Sequence, residues 1–242
     1  MNSHPLLRKY LQSYREWGFR PPRIRLARKL TRCGSEYGGY FVDTSILPQE
    51  PIVYSAGIGL DISFDLSLIG QYGCTVHAFD PTPRVQSWLA TQPLPPQFRF
   101  YPLGIADLDG SLDFFLPSRA DFVSHSTVRS PRYSDRSISM PVIRLTTAMT
   151  CLRHNHIDVL KMDIEGGEYS VLKDLIQENI PVNQLCVEFH HRVSVAGVEK
   201  TREALSLLAE NAFAVTHICP RFEVFSLIRT KIVQNNAKSI AD

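Results

Sequence analysis

The residue types best suited to chemistry crowd into one short stretch, Lys161-Met162-Asp163-Ile164-Glu165-Gly166-Gly167-Glu168, directly after an apolar run. Asp163 and Glu165 alternate, so they point the same way if a strand continues through them. Two carboxylates so placed can attract a sulfonium cation, hold a divalent metal, or take a proton from a hydroxyl. A helix start also gathers acids, because its dipole favours negative charge in the first turn. That accounts for Glu168 but not for Asp163, which closes an apolar run. A second pair, Glu188 and His190, stands in Glu188-Phe189-His190-His191 and shares one face of an extended chain. It can complete a metal site with Asp163 or supply a general base, and it can equally be a satisfied structural feature.

A second kind of site is written in glycines. Ala56-Gly57-Ile58-Gly59-Leu60-Asp61 follows the apolar run 52–56. Glycines permit a tight turn and a close approach of ligand to backbone, and a following helix offers unpaired N–H groups. A dinucleotide fingerprint would carry a third glycine where Ile62 stands. Asp80 lies 23 residues beyond Gly57 and can accept hydrogen bonds from both ribose hydroxyls, or cap a helix ahead of Pro81. The missing glycine and the acid together favour a nucleoside ligand without a pyrophosphate. S-adenosylmethionine fits, with its amino-acid end over the glycine turn and its ribose at Asp80. Gly104-Ile105-Ala106-Asp107 is either a plain turn or the place where an adenine ring is sandwiched against Ile105.

All of these residues follow segments that read as strands. Apolar runs at 52–56, 75–80, 98–103, 157–163 and 184–188 alternate with helix-like spacing at 61–72, 84–91, 146–154, 168–177 and 198–211. Gly73 is placed to cap the first of these helices. The alternation predicts a mainly parallel, doubly wound sheet with right-handed crossovers, and such sheets bind ligands outside the carboxyl ends of their strands. Residues 213–219 and 222–229 read as two strands joined by Pro220-Arg221, a hairpin that requires one antiparallel strand. Strands are also expected at 111–116 and 140–145. Between them, 118–139 holds seven serines and four arginines and reads as a long polar loop.

Of 242 residues, 44% are hydrophobic and 21% charged, which excludes a disordered, collagen-like or coiled-coil chain. No apolar run approaches the ~20 residues of a membrane span. The N-terminus, Met-Asn-Ser-His-Pro, has no apolar core of a secretory signal, so the cytoplasm is the expected location. Five scattered cysteines without a Cys-x-x-Cys pair favour reduced, buried thiols. Charge is uneven: residues 1–32 carry nine basic groups against one acid, a net of +8, and the remainder carries 17 basic and 23 acidic groups, a net of −6. A basic, partly helical leader is expected to pack on its own body or to meet something anionic, a membrane surface included. The expected organisation is a leader over 1–33, one catalytic domain over 34–230 containing the loop 118–139, and a polar tail over 231–242.

The long acidic motif, followed by Tyr169 and Leu172, resembles the hallmark of the FkbM family of S-adenosylmethionine-dependent methyltransferases. Residues 54–65 and Phe79-Asp80-Pro81-Thr82-Pro83 are similar to the first two motifs of one branch of it, and Tyr37-Gly38-Gly39-Tyr40 resembles the segment before its first strand. Leu60 departs from the acidic residue expected there, which leaves Asp61 to serve. The resemblance, over residues 34–229, implies a class I methyltransferase fold, Rossmann-like, with a seven-stranded sheet and one antiparallel strand. It implies methyl transfer to a hydroxyl oxygen of a saccharide or natural product. Carried over for cofactor contact are Gly57, Gly59, Asp61, Ser63, Asp80, Gly104 and Asp163, with Ile105 at the adenine position. For the acceptor's proton the candidates are Asp163, Glu165, Glu188 and His190, with a divalent metal as the alternative means of acidifying a hydroxyl. The serine- and arginine-rich loop and the basic leader are the parts expected to meet the acceptor. Competing readings are an NAD-binding oxidoreductase, a non-catalytic protein that kept the fold, and a nucleic-acid methyltransferase. The missing third glycine opposes the first, the intact acidic cluster the second, and the acidic body the third.

Overall fold

The covered strands at the middle of the central sheet form where buried residues run unbroken, and the helices between them bury one stripe each. The computed structural model describes residues 29–119, 124–192 and 197–230. The basic leader up to residue 28 and the polar tail 231–242 lie outside the described residues. In chain order the elements are β1 (Leu30–Cys33), β2 (Tyr40–Asp43), a short 3-10 turn, β3 (Val53–Ala56), α1 (Ser63–Tyr72), β4 (Val76–Phe79), α2 (Pro83–Leu89) and β5 (Phe98–Tyr101). They continue with β6 (Gly104–Ala106), β7 (Gly110–Pro117), β8 (Tyr133–Arg144), α3 (Leu145–Leu152), β9 (Ile157–Met162), α4 (Glu168–Gln177) and β10 (Val182–Glu188). The last three are α5 (Gly197–Glu210), β11 (Phe213–Ile218) and β12 (Val224–Arg229).

The central sheet has seven strands in the order β11-β12-β10-β9-β3-β4-β5. Pairing is parallel from β10 through β5. β12 runs against both β10 and β11, the antiparallel strand that the C-terminal hairpin predicts. The fold is therefore α/β with a mixed sheet. The sheet divides the apolar interior. Tyr54, Leu160, Met162, Leu185 and Val187 pack on one face with Leu145, Val171, Leu172, Leu175, Leu205 and Leu208 of α3, α4 and α5. Val53, Val76, Ala78, Val159 and Cys186 pack on the other with Phe64, Leu68, Val85 and Leu89 of α1 and α2. Every residue of β3, β4 and β9 is buried, as strands covered on both faces must be. Gly73 ends α1 in the left-handed conformation, donating to Ile69 O at 2.7 Å, as its position predicts.

Four expectations are corrected. Leu30–Cys33 are not leader but a strand paired with Tyr40–Asp43, and this hairpin covers the α1 face with Tyr40 set edge-on to Phe64. The polar loop is shorter than 118–139, because β8 begins at Tyr133. Residues 135–139 are exposed, so that part of the strand has no buried face to impose an alternation. Gly104–Ala106 is not a plain turn but a strand parallel to β8, and with β7 the three make a second small sheet. Finally, the strand that carries Asp163 stops at Met162. Chain order reverses between β3 and β9, and the carboxyl ends of those two strands open onto the same crevice.

Candidate active site

A cavity of about 920 Å³ lies over this reversal point. Its floor begins with the glycine turn. Gly57 takes φ +71°, and a side chain there would meet the backbone oxygen of Asp163 at 1.7 Å. The turn out of β3 thus runs hard against the turn out of β9. Gly59, at φ +55°, has open space where its side chain would be. Its N–H donates to Asp80 Oδ2 at 3.1 Å, and the other oxygen of Asp80 accepts from Thr82 N at 2.9 Å. Asp80 is buried, which pushes its carboxyl upward despite those two hydrogen bonds and the charge of Lys161. Asp61 accepts from Ser35 Oγ at 2.7 Å and from Ser63 N at 2.9 Å. Burial opposes its charge, but the bonds from Ser63 and Ser35 outweigh burial and hold its carboxyl below the ordinary value.

The acidic segment folds back on itself after β9. Glu165 sits at φ +52° and Gly166 at φ +105°, so a turn and not strand alternation turns Asp163 and Glu165 toward one another. A left-handed glutamate is uncommon and costs about 1 kcal/mol or more. Contacts from the β7–β8 arm hold it there. Ser126 Oγ donates to the Glu165 carbonyl, and Tyr133 donates its hydroxyl to Glu165 Oε2 at 3.0 Å. Glu168, wholly buried at the first position of α4, accepts the N–H groups of Ile164 and Gly166 at 3.2 and 3.0 Å.

His190 completes the cluster. Its Nδ1 lies 2.7 Å from Glu168 Oε1, and its Nε2 faces Asp163 Oδ1 at 3.5 Å and Glu165 Oε2 at 3.3 Å. Burial works against a charge on this ring, but Glu168, Glu165 and Asp163 together overcome it, and His190 titrates well above its ordinary value. Burial also drives the Glu188 carboxyl up to about 7, with Asp163 adding to the effect. Lys161, buried in β9, donates to the Gly57 carbonyl and lies 4.0 Å from Asp163 Oδ2, with the Tyr40 ring 5.6 Å away.

Asp163, Glu165, Glu188, His190, Gly57, Gly59, Asp61, Asp80, Gly104 and Ile105 all line this one cavity. Ser63 does not; its hydroxyl accepts from Ser35 N at 2.8 Å and braces the loop before β2. The cap reading of Asp80 has a physical basis as well, since it accepts from Thr82 N beside the start of α2. Sequence reasoning passed over Lys161 and the bracing role of Glu168. A lysine inside an otherwise apolar strand was the available signal, because a buried ammonium needs partners. Ser126 and Tyr133 gave no such signal, because serine and tyrosine in a polar stretch are unremarkable.

Comparison with known proteins supplies the family. Residues 56–215, more than half of the chain, match the methyltransferase FkbM domain. The chain is 31% identical over 141 residues to the human protein described as "Probable methyltransferase-like protein 24", and 31% identical over 142 residues to its rat counterpart. These matches cover 57% of this chain and 32% of each relative, so the chain spans about a third of their length. The crystal structure of methyltransferase FkbM from Methylobacillus flagellatus KT superposes with a TM-score of 0.46 at 16% identity, over 81% of this chain and 48% of that one. On the extent of the domain match, the chain belongs to the FkbM methyltransferase family.

Proposed function

We propose that this chain transfers the methyl group of S-adenosylmethionine to a hydroxyl oxygen of a saccharide or small natural product, on a class I methyltransferase arrangement of its sheet. One observation carries the reading: a single cavity joins the glycine turn, the buried Asp80 carboxylate and the carboxylate cluster at the ends of four strands. Its volume falls in the range of about 300–1,000 Å³ typical of small-molecule sites. The residues suit the donor. Gly59 leaves open space over the turn, Asp80 offers a carboxylate fixed by two backbone N–H groups, and Ile105 offers a buried apolar wall.

The bound sulfonium supplies a methyl carbon already activated toward displacement. The chain's part is alignment and proton removal. Lys161 and Glu168 fix the two turns, so Asp163 and Glu165 project into the cavity without freedom to drift. Glu188, which lines the cavity, takes the acceptor's proton, because a carboxyl held near 7 matches neutral pH.

Calorimetry with S-adenosylhomocysteine tests the proposal. Binding is expected, NADH binding is not, and Asp80→Asn should weaken the former about 10- to 100-fold, the worth of a hydrogen bond to a charged group. Parent-like affinity in that variant would remove Asp80 from the ribose role. Transfer of labelled methyl to a panel of saccharides then tests the acceptor class.

A further inference from the structure

Three ligand atoms of mixed chemistry face one another after β9 and β10. Oxygens of Asp163 and Glu165 and Nε2 of His190 all fall within 4.8 Å of one another. Nε2 stands 3.5 and 3.3 Å from the two carboxylates, well beyond the 2.7 Å of the Nδ1 contact to Glu168, and makes no hydrogen bond among the described residues. These spacings suit neighbours around an ion better than donor and acceptor. An ion about 2.1 Å from each ligand sets adjacent ligands about 3.0 Å apart in an octahedron and about 3.4 Å apart in a tetrahedron.

The surroundings are those of an outer coordination shell. Glu168, buried and anchored by the N–H groups of Ile164 and Gly166, engages Nδ1 and so presents Nε2 to the two carboxylates. A carboxylate behind a ligating histidine fixes the ring and strengthens it as a ligand. Tyr133 holds Glu165 in the same manner. Four carboxylates line or border this corner, those of Asp163, Glu165, Glu168 and Glu188, with Lys161 as the nearby cation.

We propose that Asp163, Glu165 and Nε2 of His190 bind one divalent first-row ion, Mn²⁺ or Zn²⁺ ahead of Mg²⁺ and Ca²⁺, since an imidazole nitrogen favours the former. Three protein ligands leave positions open toward the cavity, where an acceptor oxygen would lie. That purpose rests on the methyltransferase reading, whereas the ion's binding does not.

The test is a Mn²⁺ titration of the chelator-treated full chain, by calorimetry and by the paramagnetic resonance signal of free Mn²⁺, with and without S-adenosylhomocysteine. One Mn²⁺ per chain is expected in both cases. Glu165→Gln and His190→Ala should each weaken it at least about tenfold, and Tyr133→Phe, outside the ligand set, by less. Should His190→Ala fail to fold, Glu165→Gln decides, because that side chain is partly solvent-exposed and retained S-adenosylhomocysteine binding reports its fold. No stoichiometric Mn²⁺ in a chain that binds S-adenosylhomocysteine overturns the ion site and leaves the methyltransferase reading standing. Mn²⁺ without S-adenosylhomocysteine affinity does the reverse. Parent-like Mn²⁺ affinity in the ligand variants moves the ion elsewhere and overturns the assignment.

Discussion

Asp65 sits on the buried side of α1 with one carboxylate oxygen lacking any hydrogen-bond partner among the described residues. Burial pushes its carboxyl up to about 6, and the attraction of Lys161 offsets this only in part. A raised carboxyl stabilises the fold below its unfolded pKa of about 4, and that contribution is lost as pH rises through about 6. Asp65→Asn is therefore expected to melt a few degrees above the parent at pH 8 and to show no such gain at pH 4, in paired thermal melts. Glu188 makes a separate residue-scale prediction. Glu188→Gln should lower kcat about 10²- to 10⁴-fold while S-adenosylhomocysteine affinity stays within about twofold. Equal loss in both would assign Glu188 to binding and not to proton transfer.

Among the elements, the β7–β8 arm decides how firmly the acidic turn is held, because Ser126 and Tyr133 reach across to Glu165. Ser126→Ala removes the contact that fixes the left-handed carbonyl. It should lower turnover about tenfold with a stability cost of about 1 kcal/mol, read from kcat and a denaturant melt. The arm is also the element that the sequence hid best. Covered strands such as Ile157–Met162 announce themselves through apolar runs, and Pro220-Arg221 announces the final hairpin. β8 starts among exposed residues, and β1 and β2 are four-residue strands of mixed character, so no periodicity marks them. The acids of the site were legible because nothing in a strand's own packing calls for Asp163. Their braces were not legible, since Tyr133 and Ser126 acquire meaning only from contacts 32 and 39 residues away.

Across the whole molecule, the covering hairpin and the sheet are sewn together by an amide. Gln184 of β10 accepts from Asp43 N at 2.9 Å and donates to Asp43 O at 3.0 Å, both bonds buried. The helices keep to modest lengths; among the described residues none is long and apolar enough to cross a membrane. The central strand β3 lies between β4, which follows it closely, and β9, which arrives about a hundred residues later; Asp158 reaches back to the Ile52 N–H at 2.9 Å. A nascent chain leaving the ribosome must therefore wait with β3 paired on one edge only, apolar and unshielded, until β9 has been translated. A fragment ending at residue 119 is expected to pellet with chaperones in a cell-free synthesis where the full chain stays in the supernatant.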